Sequence, residues 1–177
     1  MFAKFPRKRY AVILADPPWH FATWSRKGRD RSPDKHYSTL TMPELAELPL
    51  QRVAQDDCAL FLWITWPMMI DAIILMHRWG FTYKTCAFCW AKVLNTRAQI
   101  GTGYWTRANS EVCLLATRGA PKRKHADVSQ LIIEPRREHS RKPDCVHERI
   151  ERLVDGPYLE LFARRRRNGW SSWGNQL

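Results

Sequence analysis

The chain has 177 residues and a mass of 20.9 kDa, a length typical of one globular domain. Hydrophobic residues make up 45% of it and aromatic residues 12%, which is enough to build a core and excludes a wholly disordered chain. Lysine and arginine number 29 against 17 aspartate and glutamate, so the formal net charge is +12. A charge this positive favours a polyanionic partner, either nucleic acid or an anionic membrane surface.

The cysteines and the longest apolar stretch indicate a reducing compartment and no membrane span. The 5 cysteines lack the spacing of a disulfide framework, so we expect free thiols in the cytoplasm. We interpret Cys86 and Cys89 as structural thiols on opposite faces of a strand, and we expect no metal site. The apolar stretch 59–76 is interrupted by Pro67 and Asp71, which predicts a buried strand followed by a core helix.

Short apolar runs alternate with helical segments along the chain. The apolar runs predict strands at 10–15, 59–64, 81–90, 111–117, 131–134 and 158–163. Helices are predicted from a Thr41–Glu44 capping box, from Pro67 to Trp79 with Gly80 closing it, and from Pro143 to about Val154. Buried strands that alternate with helices indicate an α/β architecture around a mostly parallel sheet.

Basic residues are concentrated in loops at about 20–36, 91–108 and 118–142. Cations interleaved with aromatic rings suit phosphate binding and base stacking, so we predict nucleic acid rather than a membrane as the partner. Ordinary solubilising charge is the alternative interpretation. The side chains in and beside these loops that are predicted to contact nucleic acid are Trp24, Arg26, Lys27, Tyr37 and Trp105.

The segment Asp16-Pro17-Pro18-Trp19 follows the first buried strand, at the sheet edge where open α/β sheets bind ligands. Two prolines stiffen the backbone and remove two N–H donors, which leaves the carbonyls of Asp16 and Pro17 as rigid acceptors beside a carboxylate. Trp19 adds an aromatic surface. Acceptors beside a stacking ring suit a planar amine, such as the exocyclic amino group of adenine. A Pro-Pro turn with a capping aspartate is the alternative interpretation of these four residues alone.

The exocyclic amino group of adenine is a poor nucleophile because its lone pair is delocalised into the ring. Acceptors that hold both of its N–H bonds favour the charge that develops on nitrogen during attack. If the electrophile is a sulfonium methyl group, the reaction needs neither a metal nor a covalent intermediate. The segment 16–19 therefore predicts a methyl-transfer site.

Nine segments in order resemble the MT-A70 family of S-adenosylmethionine-dependent adenine N6-methyltransferases. They are DPPW (16–19), YSTL (37–40), LFLWIT (60–65), GF (80–81), GTGYWTRANSE (101–111), LLATRG (114–119), HSRKPD (139–144), ELFAR (160–164) and GWSSWGN (169–175). The resemblance implies one methyltransferase domain over 1–177 with a circularly permuted, Rossmann-like fold, in which a mostly parallel central sheet is flanked by helices. It also implies that ELFAR takes the place of a glycine-rich cofactor turn.

The resemblance also implies roles for single residues. Asp16, Pro17, Pro18 and Trp19 would form the catalytic pocket, with Trp19 and Tyr37 near the target base. Independently of the resemblance, the aromatic residues Trp24 and Trp105 of the basic loops are predicted to stack or to fill the gap left by a base rotated out of a duplex. The implied cofactor-binding residues are Asp16, Lys142, Arg164, Arg166, Asn175 and Gln176. The alternatives are a solvated charge for Lys142 and a tail turn for Asn175, and we interpret Asp144 as a helix N-terminal residue.

The sequence thus predicts a DNA adenine N6-methyltransferase of a compact bacterial or phage type, in the cytoplasm of a bacterial or phage-infected cell. An enzyme acting on adenosine in RNA and a catalytically silent nucleic-acid-binding partner are the alternatives. A monomer and a homodimer are both compatible with the sequence. Trp63 and Trp66 are interpreted as core residues, and His77, His125 and His147 are assigned no role.

Overall fold

Each apolar run identified in the sequence forms a strand of one sheet. A computed structural model describes residues 4–19, 39–95, 97–101, 103, 105–137, 141–175 and 177. In these residues the strands are β1 (Tyr10–Ala15), β2 (Ala54–Ile64), β3 (Thr82–Leu94), β4 (Arg97–Ala98), β5 (Ser110–Arg118), β6 (Leu131–Pro135), β7 (Tyr158–Leu161) and β8 (Trp170–Trp173). The helices are α1 (Met42–Ala46), α2 (Leu50–Val53), α3 (Met69–Arg78) and α4 (Cys145–Leu153).

The strands lie in the order β4-β3-β5-β2-β1-β7-β8, and β6 pairs with β3. β1 is parallel to β2 and β7, β7 is parallel to β8, and β3 is parallel to β6. β5 runs antiparallel to both β2 and β3, and β4 runs antiparallel to β3. The sheet is therefore mixed, and the prediction of a mostly parallel sheet is not confirmed. The described residues between β3 and β5 contain no helix, and without a crossover helix the chain returns in the opposite direction. The circular permutation remains a prediction.

Hydrophobic clusters cover both faces of the sheet, which explains why the central strands are continuously apolar. One face packs against α1, α2 and α3, and it includes Leu62, Leu75 and Trp79. The other face packs against α4, and its buried side chains include Phe61 and Ile150. Because β1 and β2 are covered on both sides, their carboxyl ends form a rigid base for the loops that follow them.

Local signals set the ends of the first and third helices. The backbone N–H and the hydroxyl of Thr41 donate to the Glu44 carboxylate at 2.8 Å and 2.7 Å, as the predicted capping box requires. Gly80 has a φ of +81° directly after α3, where a side chain would be strained. Pro67 lies in a 3₁₀ turn (Trp66–Met68), and α3 begins only at Met69.

Two segments that we predicted to be irregular are strands. β3 continues through Leu94 and β4 follows it, so the prediction of a loop at 91–108 was wrong for its first part. β8 forms in the predicted tail, where Trp170 and Trp173 are both buried and extend the sheet beyond β7. In both segments the strand forms because it can pair with the edge of the sheet. A short stretch of sequence does not show which edge strand will be its neighbour. The predicted basic loop at 20–36 lies outside the described residues.

The two thiols of the Cys-x-x-Cys pair pack on the same face of the sheet, so the prediction of opposite faces was wrong. A shift in strand register between Cys86 and Phe88 adds a residue and reverses the alternation. Cys86 and Cys89 therefore both contact the cluster beneath α3. Burial raises the pKa of the Cys86 thiol. Among the residues that the structure describes, no group of three or more His, Cys, Asp or Glu side chains is placed to bind a metal ion. No described helix is both long and apolar enough to cross a membrane.

Candidate active site

A cavity of about 310 Å³ opens at the carboxyl ends of β1 and β7, beside the start of α4. Neighbouring parallel strands end at the same edge of the sheet, so the loops that follow them meet there. The cavity is lined by Leu14, Asp16, Trp63, Arg141, Lys142, Pro143, Asp144, Val146, His147, Glu160, Phe162, Arg164, Arg165, Arg166 and Arg167. A volume of this size accommodates a small organic ligand.

An ion-pair cluster centred on Lys142 forms the inner wall of the cavity. The Lys142 ammonium donates to both carboxylate oxygens of Asp16, at 2.8 Å and 2.7 Å. It also lies 3.4 Å from the carboxylate of Glu111 and 5.5 Å from the centre of the Trp63 ring. Glu111 in turn accepts a hydrogen bond from Lys92. The partly buried Lys142 thus stands between two carboxylates, and Lys92 adds a second cation, so the charges of the cluster are paired as charges inside a protein need to be.

The three groups of this cluster have displaced pKa values. Burial raises the pKa of Asp16 above its ordinary value, and the opposing effect of Lys142 does not cancel this. Burial would also raise the pKa of Glu111, but Lys142 and Lys92 together bring it below its ordinary value. Burial would lower the pKa of Lys142, but Asp16 and Glu111 raise it, so the ammonium stays charged. The two carboxylates are therefore shifted in opposite directions from their ordinary pKa values.

Backbone hydrogen bonds hold the turn that carries the catalytic candidate. The N–H of Trp19 donates to the carbonyl of Pro17 at 2.8 Å, and the N–H of Leu40 donates to the carbonyl of Pro18 at 2.9 Å. The indole N–H of Trp19 donates to the carbonyl of Trp63 at 3.0 Å, and the Trp19 side chain is only 6% exposed. The structure therefore places Trp19 in the core, where its indole ties the turn to β2 and offers no open ring face for stacking.

The turn after β7 has the conformation that glycine usually provides. Phe162 has a φ of +62°, which is uncommon for a side-chain-bearing residue and is typical of strained functional turns. Its ring packs edge-on against Trp173, with 5.5 Å between centroids. The N–H of Ala163 donates to the carbonyl of Trp173 at 3.0 Å. A Cβ atom at Gly174 would lie 2.2 Å from the carbonyl oxygen of Ala163, so β8 can clamp this turn only because position 174 is glycine.

A histidine–carboxylate pair, which was not predicted from the sequence, forms the outer wall of the cavity. Nε2 of His147 lies 3.0 Å from the carboxylate of Glu160, and Trp170 contacts the imidazole edge-on at 4.8 Å. Nδ1 of His147 and Oγ of Ser172 are buried without a hydrogen-bond partner among the described residues. Ser172 is the β8 neighbour of Glu160 in strand register. The one available signal was the position of Glu160 near the end of a buried strand.

Arginines surround the mouth of the cavity. Asp144 precedes α4 as its N-cap residue, as predicted. Its carboxylate accepts from Arg137 at 2.7 Å, from Arg141 at 2.8 Å and from Arg165 at 3.3 Å. Burial would raise the pKa of Asp144, but these guanidinium groups hold it below its ordinary value. The segments before α4 and after β7 are thereby joined across the cavity.

The chain matches a family model and several curated proteins over nearly all of its length. The family model is MT-A70, and it matches residues 10–176. The chain belongs to the MT-A70 family.

This MT-A70 chain aligns with most of one relative and with only about a quarter of others. It is 34% identical to the Type II methyltransferase M.MunI of Mycoplasma sp., over 100% of this chain and 82% of that protein. It is 32% identical to the N(6)-adenosine-methyltransferase catalytic subunit METTL3 of Homo sapiens, over 96% of this chain and 28% of that protein. A putative N(6)-adenosine-methyltransferase MT-A70-like protein of Medicago truncatula is also 32% identical, with 96% of this chain and 26% of that protein covered.

The MT-A70 fold gathers some of the predicted site residues and leaves others apart. Asp16, Lys142, Arg164 and Arg166 line the same cavity. Asn175 is exposed on the tail and is not among the residues that line the cavity, and Trp105 is fully exposed on the connection between β4 and β5. The predicted residues that lie outside the described part of the chain are Trp24, Arg26, Lys27, Tyr37 and Gln176.

Two further interpretations need correction in this MT-A70 site. Trp63 is a core residue, as predicted, but its ring also lines the cavity and lies below the Lys142 ammonium. Trp66 is 49% exposed, so the prediction that it is a core residue was wrong. It follows β2 at the sheet edge, where α3 does not cover it. His147, to which the sequence assigned no role, lines the cavity beside Glu160.

Proposed function

We propose that this chain transfers a methyl group from S-adenosylmethionine to the exocyclic N6 of adenine in DNA. The observation that carries the proposal is the carboxylate of Asp16, which stands at the end of β1, is bound by Lys142 and borders the cavity. Membership in the MT-A70 family supports the methyl transfer. The substrate, the cofactor and the single-residue roles are our proposals.

The residues around the cavity suit the charges of S-adenosylmethionine. Lys142 offers an ammonium to the carboxylate of the cofactor, and Asp16 borders the same part of the cavity. Glu160 provides acceptor oxygens for hydroxyl groups on the outer wall. Arg164 and Arg166 line the same cavity after β7, and we propose cofactor contacts for both. For Asn175 and Gln176 the proposal rests on the family resemblance.

S-adenosylmethionine, when bound, supplies an electrophilic methyl group on a positively charged sulfur. We propose that the Asp16 carboxylate accepts an N–H bond of the target amine and holds its nitrogen toward the cavity. Because burial raises the pKa of Asp16, this carboxylate is a better proton acceptor than an exposed aspartate and can take the proton that nitrogen loses. Lys142 keeps the carboxylate in place, and Glu111 balances the remaining charge of Lys142.

The bases of a duplex are stacked, so the target adenine must be rotated out to reach Asp16. Because Trp19 is buried, we propose that it positions the turn and that other aromatic residues stack on the base. Trp105 is the fully exposed aromatic residue of the described loops. Trp24 and Tyr37 keep the role that the sequence predicts, with Arg26 and Lys27 contacting phosphates.

We favour DNA over RNA on the extent of the similarity. M.MunI is named as a type II methyltransferase, a class that modifies DNA, and this chain spans 82% of it. The adenosine methyltransferases are matched over only about a quarter of their length. We also propose, as the sequence predicts, that the protein acts in the cytoplasm of a bacterial or phage-infected cell.

The test is to incubate the purified chain with labelled S-adenosylmethionine and matched DNA and RNA oligonucleotides, and to identify the product nucleosides by mass spectrometry. We expect N6-methyladenine in DNA and at most a trace in RNA. Methylation of RNA alone would contradict the proposed substrate. If no methylation occurs and calorimetry detects no cofactor binding, the chain is a silent nucleic-acid-binding partner.

The Glu160→Gln variant tests the outer wall of the cavity separately from the reaction. We expect the dissociation constant for S-adenosylmethionine, measured by calorimetry, to rise about tenfold, because one charge-assisted hydrogen bond is weakened. Glu148→Gln is the matched control, since Glu148 lies on the exposed side of α4 and does not line the cavity. Equal affinity of the wild-type and Glu160→Gln proteins would exclude Glu160 from the cofactor site.

A further inference from the structure

Six large apolar side chains lie exposed around α3 and β6, and neither the core nor the candidate active site uses them. Between about one third and three quarters of each side chain is open to solvent. We name this set the α3–β6 surface; its members are Trp66 (49% exposed), Ile70 (73%), Ile73 (36%), Ile74 (47%), Leu131 (49%) and Ile133 (63%). Single exposed apolar residues are ordinary, but a cluster of this size marks an interaction site.

Strand register shows that the two parts of the α3–β6 surface lie on one face of the sheet. The indole N–H of Trp66 donates to Oγ of Ser110 at 3.3 Å. Ser110 pairs with Ala91 across β5 and β3, and Ala91 pairs with Ile133 across β3 and β6. These directly opposed residues point to the same side, away from Ile132, which is buried in the cluster beneath α4. The exposed side chains of α3 and β6 thus lie on the same side of the sheet, with Trp66 and Ser110 between them.

We propose that the α3–β6 surface is the interface between two copies of this chain. Ile70, Ile73 and Ile74 have the spacing of one helix stripe, which can pack on its own antiparallel copy about a two-fold axis. With that axis near Ile74, Asp71 of one copy lies opposite Arg78 of the other. The charges beside the stripe are therefore complementary in the antiparallel pair. A parallel pair of helices would lose this complementarity.

Charge and area both favour a second copy over other occupants. Asp71 and Arg78 beside the stripe carry opposite charges, so this surface lacks the excess of cations that would bind a nucleic-acid phosphate. The chain's own segment 20–38 is mainly polar and charged, and therefore matches the surface poorly. The six side chains expose roughly 600 Å², at the upper limit for a monomer. This is most of the about 800 Å² that each partner of a stable complex contributes.

Sedimentation of the purified full-length chain without nucleic acid tests the proposal. We expect a concentration-dependent dimer, and we expect the Ile70→Glu/Ile74→Glu variant to raise its dissociation constant roughly 100-fold, since it places unpaired carboxylates in the interface. Leu94→Glu is the matched control, because Leu94 is 64% exposed but lies on the opposite face of the sheet from Ile133. It should leave the dimer intact. Circular dichroism verifies that each variant is folded.

A charge exchange tests the antiparallel arrangement without introducing a carboxylate into the apolar stripe. Asp71→Lys should weaken the dimer about threefold or more, and the double variant Asp71→Lys/Arg78→Asp should restore it. A wild-type chain that stays monomeric up to about 100 μM would overturn the proposal. So would a dimer that resists the Ile70→Glu/Ile74→Glu variant or is disrupted equally by Leu94→Glu.

Discussion

Replacing Asp16 by alanine should lower kcat for methyl transfer about 100- to 1000-fold while the protein remains folded. The loss follows because the proposed acceptor for the amine is removed, and single preorganised contacts of this kind have effects of that size. The fold should persist because Lys142 keeps Glu111 as a partner at 3.4 Å. Single-turnover kinetics at saturating cofactor and thermal unfolding measure the two effects separately.

Two companion variants make the Asp16 experiment specific. Asp16→Asn retains one acceptor oxygen without the charge and should be more active than Asp16→Ala. Asp56→Ala is the matched control, because Asp56 also forms an ion pair, with Arg9 at 2.7 Å, but lies on the surface away from the cavity. It should have wild-type kcat. An Asp16→Ala protein with more than about one tenth of wild-type activity would mean that Asp16 is not at the reaction centre.

Replacing Lys142 by methionine should lower the free energy of unfolding at neutral pH by about 2–3 kcal/mol, below the usual range for breaking a fully buried ion pair, because the side chains of Lys142 and Asp16 are still 17% and 27% exposed. Met has a similar length, so the main loss is the cation that compensates Asp16 and Glu111. Adding Asp16→Asn to this variant should recover part of the stability, because the carboxylate that has lost its cation is then removed, whereas Glu111 keeps Lys92 as a partner. Urea denaturation of the three proteins measures these differences.

The stability lost in Lys142→Met should depend on pH in a definite direction. In the wild type the folded-state pKa of Glu111 lies below its ordinary value, so this residue stabilises the fold above that ordinary value and the stabilisation is lost as pH falls. Without Lys142, Asp16 loses the main charge that opposes burial, so its pKa rises further and it destabilises the fold as pH rises above its ordinary pKa, whereas Glu111 keeps Lys92 as a partner. The difference in free energy of unfolding between the wild type and Lys142→Met should therefore be small at acidic pH and grow toward neutral pH.

An exposed ion pair provides the control for Lys142. Lys124 contacts Asp155 at 2.6 Å on the surface, so Lys124→Met removes a cation of the same type without leaving a buried charge. Its unfolding midpoint should match that of the wild type over the same pH range. A Lys142→Met protein with the same stability and pH profile as Lys124→Met would show that the Asp16–Lys142–Glu111 cluster is not a buried ion-pair system.

The candidate site shows which kinds of residue a sequence can identify. Asp16 was predicted from its position after a buried strand, and the location of a strand end depends on local pattern. Lys142 was assigned by resemblance as a cofactor contact, and its partnership with Asp16 was not predicted. Glu111 was not predicted at all, because a carboxylate at the start of a strand has no local signature until the chain brings a cation beside it.

The sheet, too, has features that the local sequence predicts and features that only strand pairing decides. Apolar runs and capping residues were sufficient to locate six strands and three helices, because burial on both faces and helix capping act over a few neighbouring residues. The antiparallel direction of β5, the existence of β8 and the shift at Cys86 depend on which strands become neighbours. Asp16 and Lys142 are 126 residues apart in the chain. Only folding brings such distant groups together, and their charges and pKa values follow from that contact rather than from their own segments.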